Sequence, residues 1–237
     1  MKKPAFIVII AIIGISFISI SCCSIPKRGN GNLVTSEKPI SAFDSIGVSG
    51  SVTVNYHASQ EYRAVVTVDS NLDEFVEVYT QGGVLKIGTK SGSYSFTTFI
   101  VDVYSPSLSG ISVSGSVRFE GMDKIITPTF KLYVSGSGKL KGDFECDTFT
   151  TNISGSGDIT LTGSSNNLDI TVSGSGKLTG NEFQTNNTNV RISGSARVHV
   201  WVLDNLKVRS SGSARVKYRG NPIIDYSSAG SARLERE

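Results

Sequence analysis

The chain has 237 residues, 38% hydrophobic and 18% charged, with 25 glycines, three cysteines, two histidines and a formal net charge of +3. Apolar residues spread along the whole length supply a core, which excludes a disordered chain, and the balanced charge argues against an electrostatic nucleic-acid binder. So few histidines and cysteines leave no material for a zinc site built from several such ligands, and no cofactor is expected.

Lys2 and Lys3 precede an apolar run over residues 5–20, then the small residue Ser21, then Cys22 and Cys23. A short basic start, an apolar stretch and a small residue are the pattern of a secretory signal, and the run is marginal for a membrane span of about 20 residues. A cysteine directly after it resembles the lipobox of bacterial lipoproteins. That resemblance implies a signal peptide over 1–21, acylation of Cys22 and a lipid-anchored envelope protein. Cys23 is the alternative acylation site, and an uncleaved N-terminal anchor is the alternative to cleavage. Ser19 departs from the pattern, which prefers Leu there. Residues 22–39 are polar, contain Gly29 and Gly31, and read as a flexible tether. No acidic cluster follows the cysteines, so the expected placement is the outer membrane facing the periplasm, with surface exposure as the alternative.

Residues 40–110 form a less regular β portion. Strands are predicted over 44–56, 62–68, 75–80, 84–89 and 98–104, and Gly82-Gly83 between two of them signals a hairpin. This portion is expected to be a partly antiparallel sheet that caps the open end of the C-terminal half of the chain.

From 111 to 237 one tripeptide recurs. Ser-Gly-Ser is centred on Gly115, Gly136, Gly155, Gly174, Gly194 and Gly212, Ala-Gly-Ser on Gly230, and an earlier copy on Gly50. From Gly115 onward the intervals are 21, 19, 19, 20, 18 and 18 residues. Gly92 carries the same tripeptide without apolar flanks and is set aside. Two residues before the glycine stand Val113, Val134, Ile153, Val172 and Ile192; four residues after it stand Phe119, Leu140, Ile159, Leu178, Val198, Val216 and Leu234. Apolar residues at every second position mark strands with one buried face. A single copy cannot bury that face alone, whereas copies stacked about 4.8 Å apart bury a continuous core. The expected fold is therefore all-β: a parallel β-solenoid with coils of about 19 residues, right-handed by analogy with other crossovers. An antiparallel sandwich explains the alternation but not the fixed register of one tripeptide. Glycine belongs at a sharp corner where backbones approach closely, and a serine present in every coil is structural, not catalytic.

The segment Phe43-Asp44-Ser45-Ile46-Gly47-Val48-Ser49-Gly50-Ser51-Val52-Thr53-Val54, the later Ile111-Ser112-Val113-Ser114-Gly115-Ser116 and the coils after it resemble the "putative auto-transporter adhesin, head GIN domain" family of bacteria. The resemblance runs from about residue 40 to the C-terminus. It implies a β-solenoid-like fold in an envelope protein, often a lipoprotein, with no catalytic motif to carry over.

Three residues after each corner glycine stand Arg118, Lys139, Asp158, Lys177, Arg197, Arg215 and Arg233. On a solenoid they would align as a stripe, positive at six of seven positions, able to hold an anionic envelope polymer or glycan. The alternative is a solvated edge whose charges discourage aggregation. Gly155-Ser156-Gly157-Asp158 resembles part of a calcium repeat, but the neighbouring coils place Lys139 and Lys177 at the position of Asp158. His57 and His199 are isolated, Trp201 with Tyr218 offers at most a sugar-stacking surface, and Asp143, Asp147, Asp158 and Asp169 do not recur as a cluster. The expected protein is a non-catalytic adhesin or scaffold that binds weakly and multivalently and is tethered to a membrane. An acidic-polysaccharide module or a β-helical carbohydrate-active enzyme is the alternative, and a homo-oligomer through a terminal edge is conceivable.

Overall fold

The computed structural model describes residues 25–237; Cys22, Cys23 and the signal-like segment lie outside the described residues. In chain order the strands are β1 (Lys27–Arg28), β2 (Leu33–Lys38), β3 (Ser45–Gly50), β4 (Thr53–Ala58), β5 (Arg63–Asp69), β6 (Val76–Gln81), β7 (Val84–Thr89), β8 (Tyr94–Ser95) and β9 (Phe99–Ser105). The repeat region supplies β10 (Gly110–Gly115), β11 (Arg118–Gly121), β12 (Ile125–Gly136), β13 (Lys139–Ile153), β14 (Asp158–Val172), β15 (Lys177–Ile192), β16 (Arg197–Ser210), β17 (Arg215–Arg219), β18 (Ile223–Ser228) and β19 (Arg233–Arg236).

Parallel pairing links successive coils in the register that the tripeptide sets. Val113 lies beside Val134, Val134 beside Ile153, Ile153 beside Val172 and Val172 beside Ile192. After the corner, Phe119, Leu140, Ile159, Leu178, Val198 and Val216 form the facing column. Both columns are buried, so each coil contributes one apolar side chain per row and the stack hides them all. Phe130, Phe144, Phe149 and Phe183 fill the wider part of the interior, with ring centroids of Phe130 and Phe144 4.6 Å apart. The parallel β-solenoid is present as expected.

The coil built by β3 and β4 around Gly50 joins the same stack, although 65 residues separate Gly50 from Gly115 in sequence. β3 pairs in parallel with β10, and β4 with β11. On their other sides β3 pairs with β7 and β4 with β9, so the outermost coil is made by residues that come later in the chain. The intervening segment then folds back over that end. β6 runs antiparallel to β7 through Gly82 and Gly83, both with positive φ (58° and 77°), the geometry a tight two-residue hairpin requires. β5 runs antiparallel to β9, and β2 antiparallel to β5. These antiparallel strands cap the solenoid end.

The tether expected over residues 22–39 is corrected by the pairing at its far end. Residues 33–38 form β2 on the sheet edge, and 27–28 pair with β8. The segment Leu33-Val34-Thr35-Ser36-Glu37-Lys38 has no buried face, so it carries no alternation to read; its order comes from hydrogen bonding to β5 and from capture of the preceding loop by Asp69.

Opposite the glycine corner, pairing skips the column Pro128, Asp147, Asn166 and Asn186, where each coil bends again. Amide side chains tie the coils together there. The Asn166 amide donates to Asp147 (2.6 Å), Asn187 to Asn167 (3.3 Å) and Asn205 to Asn187 (2.8 Å). Asn187→Ala removes two rungs of this ladder at once and is expected to cost about 1–2 kcal/mol in chemical denaturation, with the fold retained.

Candidate functional site

The surface expected to carry function is built outward from the corner glycines. Gly50, Gly115, Gly136, Gly155, Gly174, Gly194, Gly212 and Gly230 stack as one column. At the seven from Gly115 to Gly230, a Cβ would stand within 2.6 Å of the carbonyl oxygen of the preceding corner glycine. The oxygens of Gly50, Gly115, Gly136, Gly155 and Gly174 each accept a hydrogen bond from the N–H of the serine after the next corner glycine, as from Ser137 to Gly115 (2.9 Å) and from Ser156 to Gly136 (2.8 Å). Close backbone approach therefore demands glycine at these positions. Positive φ is a further requirement only at Gly50, Gly115 and Gly136.

Beyond the corner the side chains alternate. The residue two after the glycine faces the core: Val52 and Val117 near the capped end, then Gly138, Gly157, Gly176, Ala196 and Ala214. A Cβ on Gly157 would already lie 3.0 Å from the Ile153 Cγ2, so the middle coils admit only small residues there. Its neighbours on either side, the second serine and the charged residue, point outward. The strand register sets the charged residues side by side: Arg118 pairs with Lys139, Lys139 with Asp158, Asp158 with Lys177, Lys177 with Arg197, Arg197 with Arg215 and Arg215 with Arg233. All six cations are exposed.

Asp158 divides the stripe. Its carboxylate lies 3.8 Å from the Lys177 ammonium and beside Lys139 in register, so it offsets charge in the middle of the column. Toward the C-terminal end the cations run uninterrupted through Lys177, Arg197, Arg215 and Arg233, and of the last three only Arg215 has a carboxylate within 4 Å among the described residues, Glu235 at 3.9 Å. A parallel row of hydroxyls from Ser175, Ser195, Ser213 and Ser231 flanks these four, and together they line a groove of about 460 Å³. The repeat alone assigns these serines to the corner; that they stand on the same side as the cations follows from the two-residue alternation.

The family model described as "Putative auto-transporter adhesin, head GIN domain" matches residues 42–222. The chain belongs to this family. Three solved structures share the head GIN domain's architecture. A putative adhesin from Bacteroides fragilis is 19% identical with a TM-score of 0.83, the match covering 89% of this chain and 100% of that one. A putative adhesin from Parabacteroides merdae is 24% identical with a TM-score of 0.72, covering 90% and 100%. A protein named as a putative lipid binding protein, from Parabacteroides distasonis, is 24% identical with a TM-score of 0.71, again covering 90% and 100%. At these identities the likeness is one of fold. No curated protein matches the sequence.

Elsewhere on this head GIN domain the other candidates stay apart. Asp147 is part of the amide ladder, Asp169 accepts from the Asn189 amide (2.9 Å), Asp158 sits in the stripe and Asp143 lies near Gly163. Among the described residues no three His, Cys, Asp or Glu side chains converge as a metal site would need. His57 stacks on Tyr104 (4.7 Å) with its Nε2 3.6 Å from Asp102, while His199 stands next to Lys217 and Thr179 in the sheet. Trp201 is covered by the Arg219 guanidinium at 4.2 Å, which occupies the ring face a sugar would need, and Tyr218 packs against the core. Cys146 lies within β13, half-buried, and burial together with the Asp147 carboxylate pushes its thiol up to about 12. It is a packing residue, un-ionised at neutral pH.

Proposed function

We propose that the protein is a non-catalytic, lipid-tethered module of the bacterial envelope that holds anionic polymers along one edge of its solenoid by weak, repeated contacts. The observation that carries this reading is the uninterrupted set Lys177, Arg197, Arg215 and Arg233, in consecutive register with a row of serine hydroxyls beside it. Coils about 4.8 Å apart place four cations along roughly 14 Å. Exposed charges at that spacing repel one another, and a polyanion laid along the groove relieves the repulsion while its neutral oxygens reach the hydroxyls. Each contact is weak in water, so useful affinity comes from many contacts held on a rigid frame. The adhesin description of the family accords with a binding role.

An acyl group on Cys22 would leave five residue steps to Lys27, where the ordered structure begins to pair, a reach of at most about 18 Å. The head is then held close to the bilayer that anchors it. The lipid-binding name of the Parabacteroides distasonis neighbour raises a second source of the same anionic chemistry, a phosphate headgroup.

The test is binding of the full-length protein to poly(glycerol phosphate), an anionic polymer without sugar rings, and to vesicles containing an anionic phospholipid. Arg197→Ala/Arg215→Ala is expected to weaken poly(glycerol phosphate) binding roughly tenfold at low salt, on the basis of about 0.7 kcal/mol per exposed contact, and wild-type binding should weaken steeply as salt rises. Binding unchanged in the double variant sinks the reading. A loss confined to vesicles assigns the groove to lipid headgroups and overturns the polymer.

A further inference from the structure

On the other side of the glycine corner the sheet carries a feature unlike the rest of the solenoid. Five adjacent strands, β6, β7, β3, β10 and β12, bring Tyr79, Lys86, Gly47, Ser112 and Tyr133 into one rung, each residue paired with the next. The rung on one side reads Gln81, Val84, Ser45, Gly110 and Lys131 by the same pairings. On the other side lie Glu77, Gly88 and Ser49.

Side-chain size turns these rungs into a trough. Gly47, Gly88, Gly110, Ser45, Ser49 and Ser112 make a low floor, while the two tyrosines rise at its ends, four strand spacings or about 19 Å apart. Tyr79 and Tyr133 are 45% and 47% exposed, large amphipathic rings with no partner ring among the described residues, in contrast to the paired aromatics elsewhere in the domain. The open space above this floor is about 570 Å³, within the range of small-ligand sites. Lys86 lies across the floor, its ammonium 3.4 Å from where a Cβ on Gly47 would be. Neither Lys86 nor Lys131 has a carboxylate within 4 Å among the described residues, and Glu77 is the one acid on the lining.

We infer that this trough is a binding site for a short acidic oligosaccharide. The C–H faces of the end sugars lie on Tyr79 and Tyr133, the Ser49 and Ser112 hydroxyls exchange hydrogen bonds with ring hydroxyls, while the Ser45 hydroxyl, which donates to Asp44 (3.0 Å), can only accept, and carboxylates on the sugar pair with Lys86 and Lys131. The lack of side chains at Gly47 and Gly110 gives a flat ring access to the backbone. A sugar fits this combination better than an acidic peptide does, because two separated aromatic faces and a hydroxylated floor reward flat, hydroxyl-rich rings as well as negative charge. This site is separate from the cationic stripe, and the two stand or fall independently.

The experiment is calorimetric titration of the full-length protein with tetragalacturonate, with maltotetraose and tetraglutamate as the neutral and peptide counterparts. Tetragalacturonate is expected to bind at least tenfold more tightly than either. Tyr133→Ala and Lys86→Ala should each weaken it at least fivefold with the thermal transition unmoved, and Ser112→Trp, which fills the floor, should abolish it. Arg197→Ala/Arg215→Ala should leave it within twofold. Equal binding of tetraglutamate overturns the sugar assignment, and equal binding of maltotetraose overturns the role of the lysines. No binding of tetragalacturonate, binding that survives both Tyr133→Ala and Ser112→Trp, or loss in the stripe variant overturns the site itself.

Discussion

Gly155→Ala is expected to destabilise the protein by about 4 kcal/mol or more, whereas Gly50→Ala should cost only about 1–2 kcal/mol. Both substitutions add one methyl group at the same place in the repeat, and the difference lies in what stands beside it. At Gly155 the new Cβ would overlap the Gly136 carbonyl oxygen, a backbone atom that cannot swing aside as a side chain can. The coils must separate there, which strains the bond from the Ser156 N–H to Gly136 (2.8 Å) and that from Ser175 to Gly155 (2.9 Å), and opens the aliphatic rows beneath. Loss of about 1 kcal/mol per hydrogen bond, with the packing loss added, reaches the stated size. Gly50 has no atom within 4 Å of such a Cβ, so Ala there meets only the cost of its positive φ of 91°. Denaturant titration of the two variants measures the difference. Equal losses would mean that close coil-to-coil approach is not what selects glycine at Gly155.

The repeat made this part of the fold legible because two periodicities coincide: a side-chain period of two within a strand and a coil period near 19. Val113, Val134, Ile153, Val172 and Ile192 can occupy equivalent positions only if the coils stack, and the stripe follows from the same register. Order in the N-terminal part was harder to see. Each strand there has a readable pattern, and Gly82-Gly83 marks its hairpin, but nothing local says that β3 lies between β7 and β10. That arrangement is fixed by non-local pairing. For the same reason the trough is invisible in sequence: Tyr79 and Tyr133 are 54 residues apart and share a rung only once the hairpin and the Gly50 coil are in place. The edge strand β2, lacking a buried face, had no periodicity to show; what orders it is its pairing with β5 together with one carboxylate that holds the loop before it.

That carboxylate belongs to Asp69, and its replacement should release the N-terminal segment. Asp69 is fully buried at the end of β5 and accepts hydrogen bonds from the Gly31 N–H (2.9 Å), the Thr97 N–H (2.8 Å) and the Thr97 hydroxyl, with the Thr98 N–H at 3.4 Å. Gly29 passes so close that a Cβ would collide with the carboxylate. Burial raises its pKa, but the donors from Thr97, Gly31 and Thr98 outweigh burial and hold it below the ordinary 3.8. Asp69→Asn puts an amide donor where one oxygen faces N–H groups, and about 3 kcal/mol of stability should be lost at neutral pH. Faster amide exchange should appear over residues 27–38 and around Thr97, with the Ser-Gly-Ser coils unaffected. A group whose pKa is lower folded than unfolded stabilises the fold above its unfolded value, and that contribution fades as pH falls through the folded one. The gap between wild type and Asp69→Asn should therefore be full above about pH 5 and narrow steadily below about pH 4. A gap that stays constant down to about pH 2.5 would show that Asp69 acts by shape alone; a gap that widens in acid would reverse the sign and refute the ionised latch.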